Sequence, residues 1–197
     1  MSTSYTNTPT AALDDLGSKL LQMARVSIST ALGQPARAPD DDARLQAPGA
    51  CFVTLTQHGA LRGCIGSLEA RRSLLEDVKA NAVAAALHDM RFAPLRLAEL
   101  ADTDIEVSVL SPMQAMHFDS EADVLAQLRP GVDGVVFTHG AHRSTFLPQV
   151  WEQLPTAGEF MAHLKRKAGL PADFWSDGVK LQRYSVQKWH EARGRAS

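Results

Sequence analysis

Twice along this chain of 197 residues, two short apolar runs are separated by a turn too tight for a crossover, and a helix signal follows each pair. Cys51 to Thr56 alternates, with Cys51, Val53 and Leu55 on one face and Phe52, Thr54 and Thr56 on the other. Gln57-His58-Gly59-Ala60 then turns the chain into Leu61 to Leu68. Further on, Gly134 to Thr138 is answered by Arg143 to Leu147 across His139-Gly140-Ala141-His142. Arms this close pair as antiparallel hairpins, since a parallel return needs about a dozen residues or more. Helices and strands also fail to alternate strictly. Together these points predict an α+β fold: a largely antiparallel sheet with packed helices.

The remaining elements fall around the hairpins. Leu13, Leu16, Leu20, Met23 or Ala24, Ser27 or Ile28, and Ala31 recur at helical spacing and predict a helix from about Ala11 to Leu32. A loop follows to Gly49, marked by Pro35, Pro39 and Pro48, with Asp40-Asp41-Asp42 read as solvated. Ser73-Leu74-Leu75-Glu76 is a capping box that opens a helix to His88, its buried face Leu75, Val78, Ala82, Ala85 and Ala86. Leu95 to Leu100 gives one or two helical turns, and Asp104 to Ser111 alternates as a strand that Pro112 ends. A short helix is expected over Ser120 to Arg129 and another after Pro148. A second capping box, Thr156 to Glu159, opens a helix that Gly169 stops, and Val179 to Val186 reads as the last strand. The organisation expected is a single domain over residues 11–189, a disordered tail at 1–10 and a mobile basic tail at 190–197.

Composition narrows the function classes. Hydrophobic residues at 45% and charged residues at 21% are those of an ordinary globular protein, and a formal net charge of −2 offers no global field for a polyanion. The basic residues of the last third, Lys165-Arg166-Lys167 with Lys180, Arg183, Lys188, Arg193 and Arg195, read as a solvated face and tail. No apolar run approaches the roughly 20 residues a membrane helix needs. Met1 to Pro9 lacks the basic start and apolar stretch of a signal peptide. Two cysteines, Cys51 and Cys64, make no disulfide framework and point to reduced thiols in the cytoplasm.

The chemical signal concentrates in Leu61-Arg62-Gly63-Cys64-Ile65-Gly66-Ser67-Leu68. On a strand, Arg62 and Cys64 share a face, and a guanidinium beside a thiol favours the thiolate. Gly63 and Gly66 leave room for another group near the sulfur. Cys64 is therefore a nucleophile or ligand candidate, or else a small strand residue, while Cys51 reads as core. Glu106 and Ser108 can serve as general base and orienting hydroxyl, or form a solvated strand face. His139 and His142, with Cys64 or Glu106 as a third ligand, have no tight zinc spacing, and exposed turn histidines are the favoured reading. Gly63-x-x-Gly66 is too short to count as a phosphate loop.

These motifs together resemble the AMME chromosomal-region protein family, known in prokaryotes as AmmeMemoRadiSam system protein A. The resemblance runs from about Leu13 to Trp189. It is carried by Leu61 to Gly66, Asn81-Ala82, Asp89-Met90-Arg91-Phe92-Ala93-Pro94, Glu106 to Pro112, Pro130 to Gly134, Thr145 to Trp151, Lys165 to Leu170 and Trp175. It implies an α+β domain with two unequal lobes and a groove between them as the suspected site. It also implies association with a Memo-like protein and a radical S-adenosylmethionine enzyme; no cofactor is expected. The positions that carry the family motif are Arg62, Gly63, Cys64, Gly66, Arg91, Glu106, Ser108, Gln149 and Lys167. His142 stands where relatives are expected to have a basic residue. Two functions remain open: a binding or accessory component, or an enzyme with Cys64 and Glu106 as catalytic groups. In either case Arg62, Ser108, Gln149 and Lys167 are the residues expected to bind the ligand.

Overall fold

The computed structural model describes residues 10–38 and 42–191. In chain order the elements are α1 (Thr10–Ala31), α2 (Ala43–Gln46), β1 (Cys51–Gln57), β2 (Ala60–Gly66), α3 (Leu74–Leu87), a 3-10 segment (Leu97–Asp102) and β3 (Thr103–Leu110). There follow β4 (Gln114–Ala115), α4 (Glu121–Gln127), β5 (Gly134–His139), β6 (His142–Phe146), a second 3-10 segment (Pro148–Glu152), α5 (Ala157–Lys167), β7 (Lys180–Tyr184) and β8 (Val186–His190). The chain divides into two compact units: one runs to Val109 and resumes at Lys188, and the other is Leu110–Gln187. Each unit has helices and an antiparallel-paired sheet, so the α+β class holds.

The sheet of the first unit has the order β2-β1-β3-β8. Cys51, Val53 and Leu55 of β1, with Ile105 and Val107 of β3, are buried against Leu20, Ala24 and Ile28 of α1 and Val78, Ala82, Ala85 and Ala86 of α3. The β1–β2 turn is His58-Gly59, both at positive φ (51° and 81°), as a tight two-residue hairpin turn requires. The small residues of α3 let its backbone come down on β2, where a Cβ on Gly63 would lie 2.2 Å from the Ala85 carbonyl oxygen. The capping box of α3 forms as expected.

Two polar residues in the buried face of α3 are not anticipated by the apolar spacing. Asp77 accepts from the Cys51 N–H, the Ser67 hydroxyl and Arg72, each at 2.8 Å. Asn81 donates to the Cys51 carbonyl at 3.0 Å and to Asp77 at 3.0 Å. The pair satisfies backbone groups where the hairpin meets the helix. At the other border, Arg25 of α1 donates to Glu191, to the Leu100 carbonyl (3.2 Å) and to the Thr103 carbonyl (2.7 Å). Trp189 of β8 packs on α1 so closely that a Cβ on Gly17 would sit 2.1 Å from the indole.

The second unit has the sheet order β4-β7-β5-β6. Val135, Phe137 and Leu181 are buried with Val124, Phe160, Met161 and Leu164 of α4 and α5. Trp151 stacks on Phe160 at 3.9 Å and donates its ring N–H to the Asp133 carbonyl at 2.7 Å. Lys165, only 1% exposed, is held by Glu121 at 2.7 Å and the Phe174 carbonyl at 3.1 Å.

Several expectations need correction. The last strand is two strands: Val179 to Val186 breaks at Ser185, and β7 and β8 lie in different sheets. No glycine or proline marks the change, because Ser185 is anchored by its neighbour, its N–H bonding the Ser111 hydroxyl (3.0 Å) and its carbonyl accepting from the Ser111 N–H (2.9 Å). Asp42 is not solvated; it caps α2 and pairs with Lys19 and Arg44, with its side chain 8% exposed. Pro148 does sit at a first turn, but of a 3-10 segment. The Thr156 hydroxyl accepts from the Glu159 N–H and donates to that carboxylate, which replaces the reciprocal backbone bond of a full box. Of the expected tails, residues 1–9 and 192–197 lie outside the described residues, as do Asp40 and Asp41.

The Asp77 network should carry much of the hairpin's docking. Asp77→Ala is expected to lower unfolding free energy by about 3 kcal/mol, because it strands the buried Cys51 N–H and takes an acceptor from the part-buried Ser67 hydroxyl and from Arg72. Arg71→Ala, in an exposed pair with Glu69, should leave the urea midpoint almost unmoved. Equal midpoints for the two variants would remove Asp77 from this role.

Candidate functional site

The site is built on the face of the first sheet that turns away from the helices. Since Gly63, Val53 and Leu55 face inward, strand alternation sends Cys64 and Thr54 outward. In the observed register, Thr54 lies opposite Cys64 on one side and opposite Glu106 on the other. Cys64, Thr54 and Glu106 therefore stand abreast across three strands. Phe52 occupies the next row, between Gly66 and Ser108. Its ring covers Gly66, where a Cβ would lie 2.3 Å from ring carbons.

Contacts within this face are specific. The Thr54 hydroxyl donates to Cys64 Sγ at 3.3 Å. The Ser108 hydroxyl, in a residue only 6% exposed, donates to Glu106 Oε1 at 3.3 Å. Lys188 Nζ lies 3.8 Å from the same carboxylate oxygen. Glu106 does not reach the thiol directly, because two strand spacings put the Cys64 and Glu106 backbones about 10 Å apart, with Thr54 between. A group bound here would bridge a thiol–hydroxyl pair and a carboxylate–hydroxyl–ammonium cluster.

Cys64 itself is held from behind. β2 is an edge strand, so the outward backbone groups of Cys64 have no strand partner. Its N–H donates to the Asp89 carboxylate at 2.9 Å, and its carbonyl accepts from Arg91 at 3.2 Å. Arg91 closes the clamp by donating to both oxygens of Asp89, at 2.9 and 2.7 Å. The Asp89 carboxyl is held well below the usual carboxylate range, first by the Arg91 guanidinium and next by the Cys64 N–H. The Arg91 guanidinium is correspondingly raised, chiefly by Asp89. Cys51 is a different thiol: it is fully buried, and burial followed by the Asp77 charge pushes it far up.

Arg62 is not spent on the thiol. The register slips between Leu55 and Thr56, with Leu55 opposite Gly63 and Thr56 opposite Leu61, so Arg62 is the extra residue of a bulge. Its guanidinium lies 3.4 Å from Glu99. Glu99 is itself lowered, first by the Arg96 N–H and then by Arg62. The guanidinium that touches Cys64 is that of Arg91, and it does so through the backbone.

Gln149 and Lys167 belong to the second unit. Gln149 is exposed in the Pro148–Glu152 segment; Lys167 donates to the Thr145 carbonyl at 3.0 Å and lies 5.0 Å from the Phe146 ring centre. Of the turn histidines, His142 Nδ1 sits 2.8 Å from the Ala168 carbonyl, and His139 meets the Phe174 ring edge-on at 4.8 Å. Among the described residues, no group of three or more His, Cys, Asp or Glu side chains is placed to hold a metal ion. Spacing alone does not single out Thr54 and Asp89, the two residues that touch Cys64 most directly. Thr54 was readable only as part of a polar strand face, and Asp89 only as one residue of a motif.

Comparison with known proteins places this chain in a family. The AMMECR1 family model matches residues 21–189. A protein of Methanothermobacter thermautotrophicus is 39% identical over 187 residues, covering 90% of this chain and 95% of its own. A Methanocaldococcus jannaschii protein is 37% identical over 153 residues, covering 74% of each. The crystal structure of an uncharacterized protein from Pyrococcus horikoshii superposes with a TM-score of 0.78 at 30% identity, covering 93% of this chain and 95% of that one.

The clamp has a pH signature. A carboxyl whose folded value is depressed stabilises the fold in full above its unfolded value near 4, and that stability drains as pH falls through the folded value. Wild type should therefore exceed Asp89→Asn in Tm by a constant margin from about pH 5 to about pH 8, and the margin should shrink below about pH 4. A margin that stays constant in acid would show that the Asp89 charge does not hold the strand.

Proposed function

The chain belongs to the AMMECR1 family, and from that premise we propose that it is a cytoplasmic binding or accessory component. It acts with a Memo-like protein and a radical S-adenosylmethionine enzyme, and the outward face carrying Cys64, Thr54, Glu106 and Ser108 is its contact surface. One observation carries this reading: polar side chains stand in register across a sheet face, and the residue at its edge has both outward backbone groups fixed by Asp89 and Arg91. Such a surface is preorganised, so little ordering entropy is lost when a partner settles on it. Among the described residues no base touches the thiol: Thr54 donates to sulfur and Glu106 stands a strand further away. Both facts favour recognition over turnover. No helix among the described residues is long and apolar enough to cross a membrane, which is compatible with this setting.

The test is retention of the two partners from the same organism on the immobilised chain, all three proteins being expressed. Wild type should retain at least one of them, and Glu106→Lys should weaken retention about tenfold or more while leaving Tm within a few degrees of wild type. Failure of wild type to retain either partner under gentle conditions overturns the proposal.

A second reading has its own support: Cys64 is partly exposed, as a reactive thiol must be, and its sulfur accepts from the Thr54 hydroxyl. A Cys64-dependent enzyme should alkylate at Cys64 faster than free cysteine at neutral pH, and Thr54→Val should slow the reaction. A rate equal to that of free cysteine removes this reading.

A further inference from the structure

The chain leaving α3 forms neither helix nor strand over residues 88–96, yet its backbone is fixed at many points. Asp89 and Arg91 bind it to the Cys64 backbone, and further on Glu99 meets the Arg62 guanidinium at 3.4 Å. Between these two pins on β2 a turn closes from the Phe92 N–H to the Asp89 carbonyl at 3.0 Å, and the Arg91 N–H donates to Asp89 Oδ1 at 3.2 Å. The Leu95 N–H bonds the Ala86 carbonyl at 2.8 Å, and the Arg96 N–H bonds Glu99 Oε2 at 2.9 Å. The side chains behave differently from the backbone: across residues 90–98 only Leu95 is buried.

What this strip shows to solvent is selective. Met90 stands 100% exposed at the turn, and Ala93, Pro94 and Leu97 are exposed beyond it. Among the described residues the exposed large apolar side chains are Leu61, Met90, Leu97 and Val132, so all but Val132 belong to β2 or to this strip. Arg91 and Arg96 are exposed beside them, and residues 90–98 contain no acidic side chain. The carboxylates that pair with these arginines, Asp89 and Glu99, are buried and half-buried. Met, aromatic residues and Arg without Lys, Asp or Glu is the composition of the centre of a protein interface. A fixed backbone spares a partner the entropy of ordering it, and a methionine side chain adapts to the pocket it enters. The complement of such a surface is an apolar socket with carboxylates at its rim. Two arginines are fewer than the roughly four to eight cations with which a basic segment holds an anionic membrane.

We propose that residues 90–98 form a docking strip for a protein partner, with Met90 seated in an apolar socket and the two arginines facing carboxylates at its rim. The proposal rests on the accessory reading above and extends the contact from the outward sheet face over the edge of β2. Hydrogen peroxide footprinting tests it, with methionine sulfoxide read by peptide mass spectrometry on the full chain, alone and with each of the two partner proteins. In the free chain Met90 should oxidise at the rate of free methionine, about tenfold or more faster than the buried Met116 and Met161. A bound partner should slow Met90 about tenfold or more. Met90→Asp, at a fully exposed turn position, should weaken retention of that partner about tenfold with Tm within a few degrees of wild type, and Arg96→Glu should act in the same direction. A partner that is retained while Met90 oxidises as fast as in the free chain overturns the docking strip and leaves the accessory reading standing. Retention of neither partner overturns both. The strip is also overturned by slow oxidation of Met90 in the free chain or by undiminished retention in Met90→Asp. Equal protection of Met90 by phosphatidylserine vesicles overturns it too, since the surface covering the strip would then be a membrane.

Discussion

The seating of α3 on Gly63 decides most of what the first unit presents. With a carbonyl oxygen 2.2 Å from where a Cβ would stand, no other residue fits there without moving the helix. Once Gly63 faces the helix, the parity of the strand sends Cys64 to the opposite side. α3 ends two residues beyond that contact, at Leu87. The chain leaving Leu87 thus reaches the edge of β2 at Asp89, beside the Cys64 N–H it binds. The outward thiol, its backbone clamp and the row that continues through Thr54 to Glu106 all follow from one close approach of backbone to backbone.

Much of this frame was legible in the sequence because it rests on local rules. Alternation placed Cys51, Val53 and Leu55 on one face, and all three are fully buried. Ser73 and Glu76 marked a helix start that forms as a capping box, and the His58-Gly59 turn has the left-handed backbone its sequence suggests. What escaped depends on contacts between residues distant in sequence. Asp77 and Asn81 look like polar interruptions of an apolar helix face until the Cys51 backbone, 26 and 30 residues away, is brought to them. The bulge at Arg62 is a property of strand pairing, and a single strand read alone offers no sign of it. The break at Ser185 has the same character, since its partner Ser111 lies 74 residues earlier.

The structure also redistributes the meaning of the most conspicuous motif. Gly63 is explained by α3, Gly66 by the Phe52 ring, Arg62 by Glu99, and Ile65 packs against the core. Of the five residues from Arg62 to Gly66, only Cys64 turns a functional group toward the polar row. A motif that reads as a cluster of reactive features is mostly scaffold, and the scaffold serves to hold one side chain in place.

The first unit is discontinuous, and this bears on how the chain is made. β8 and Glu191 belong with α1, β1 and β3, and the Arg25–Glu191 pair spans 166 residues of sequence. The second unit, by contrast, is one uninterrupted stretch, Leu110–Gln187. During synthesis β3 is made well before β8, its outer neighbour, so the earlier half waits for its edge strand while nearly all of the second unit is made. The segment synthesised first is thus the last to be finished, and until Glu191 leaves the ribosome, β3 stays an open edge on which a chaperone or a neighbouring nascent chain can act.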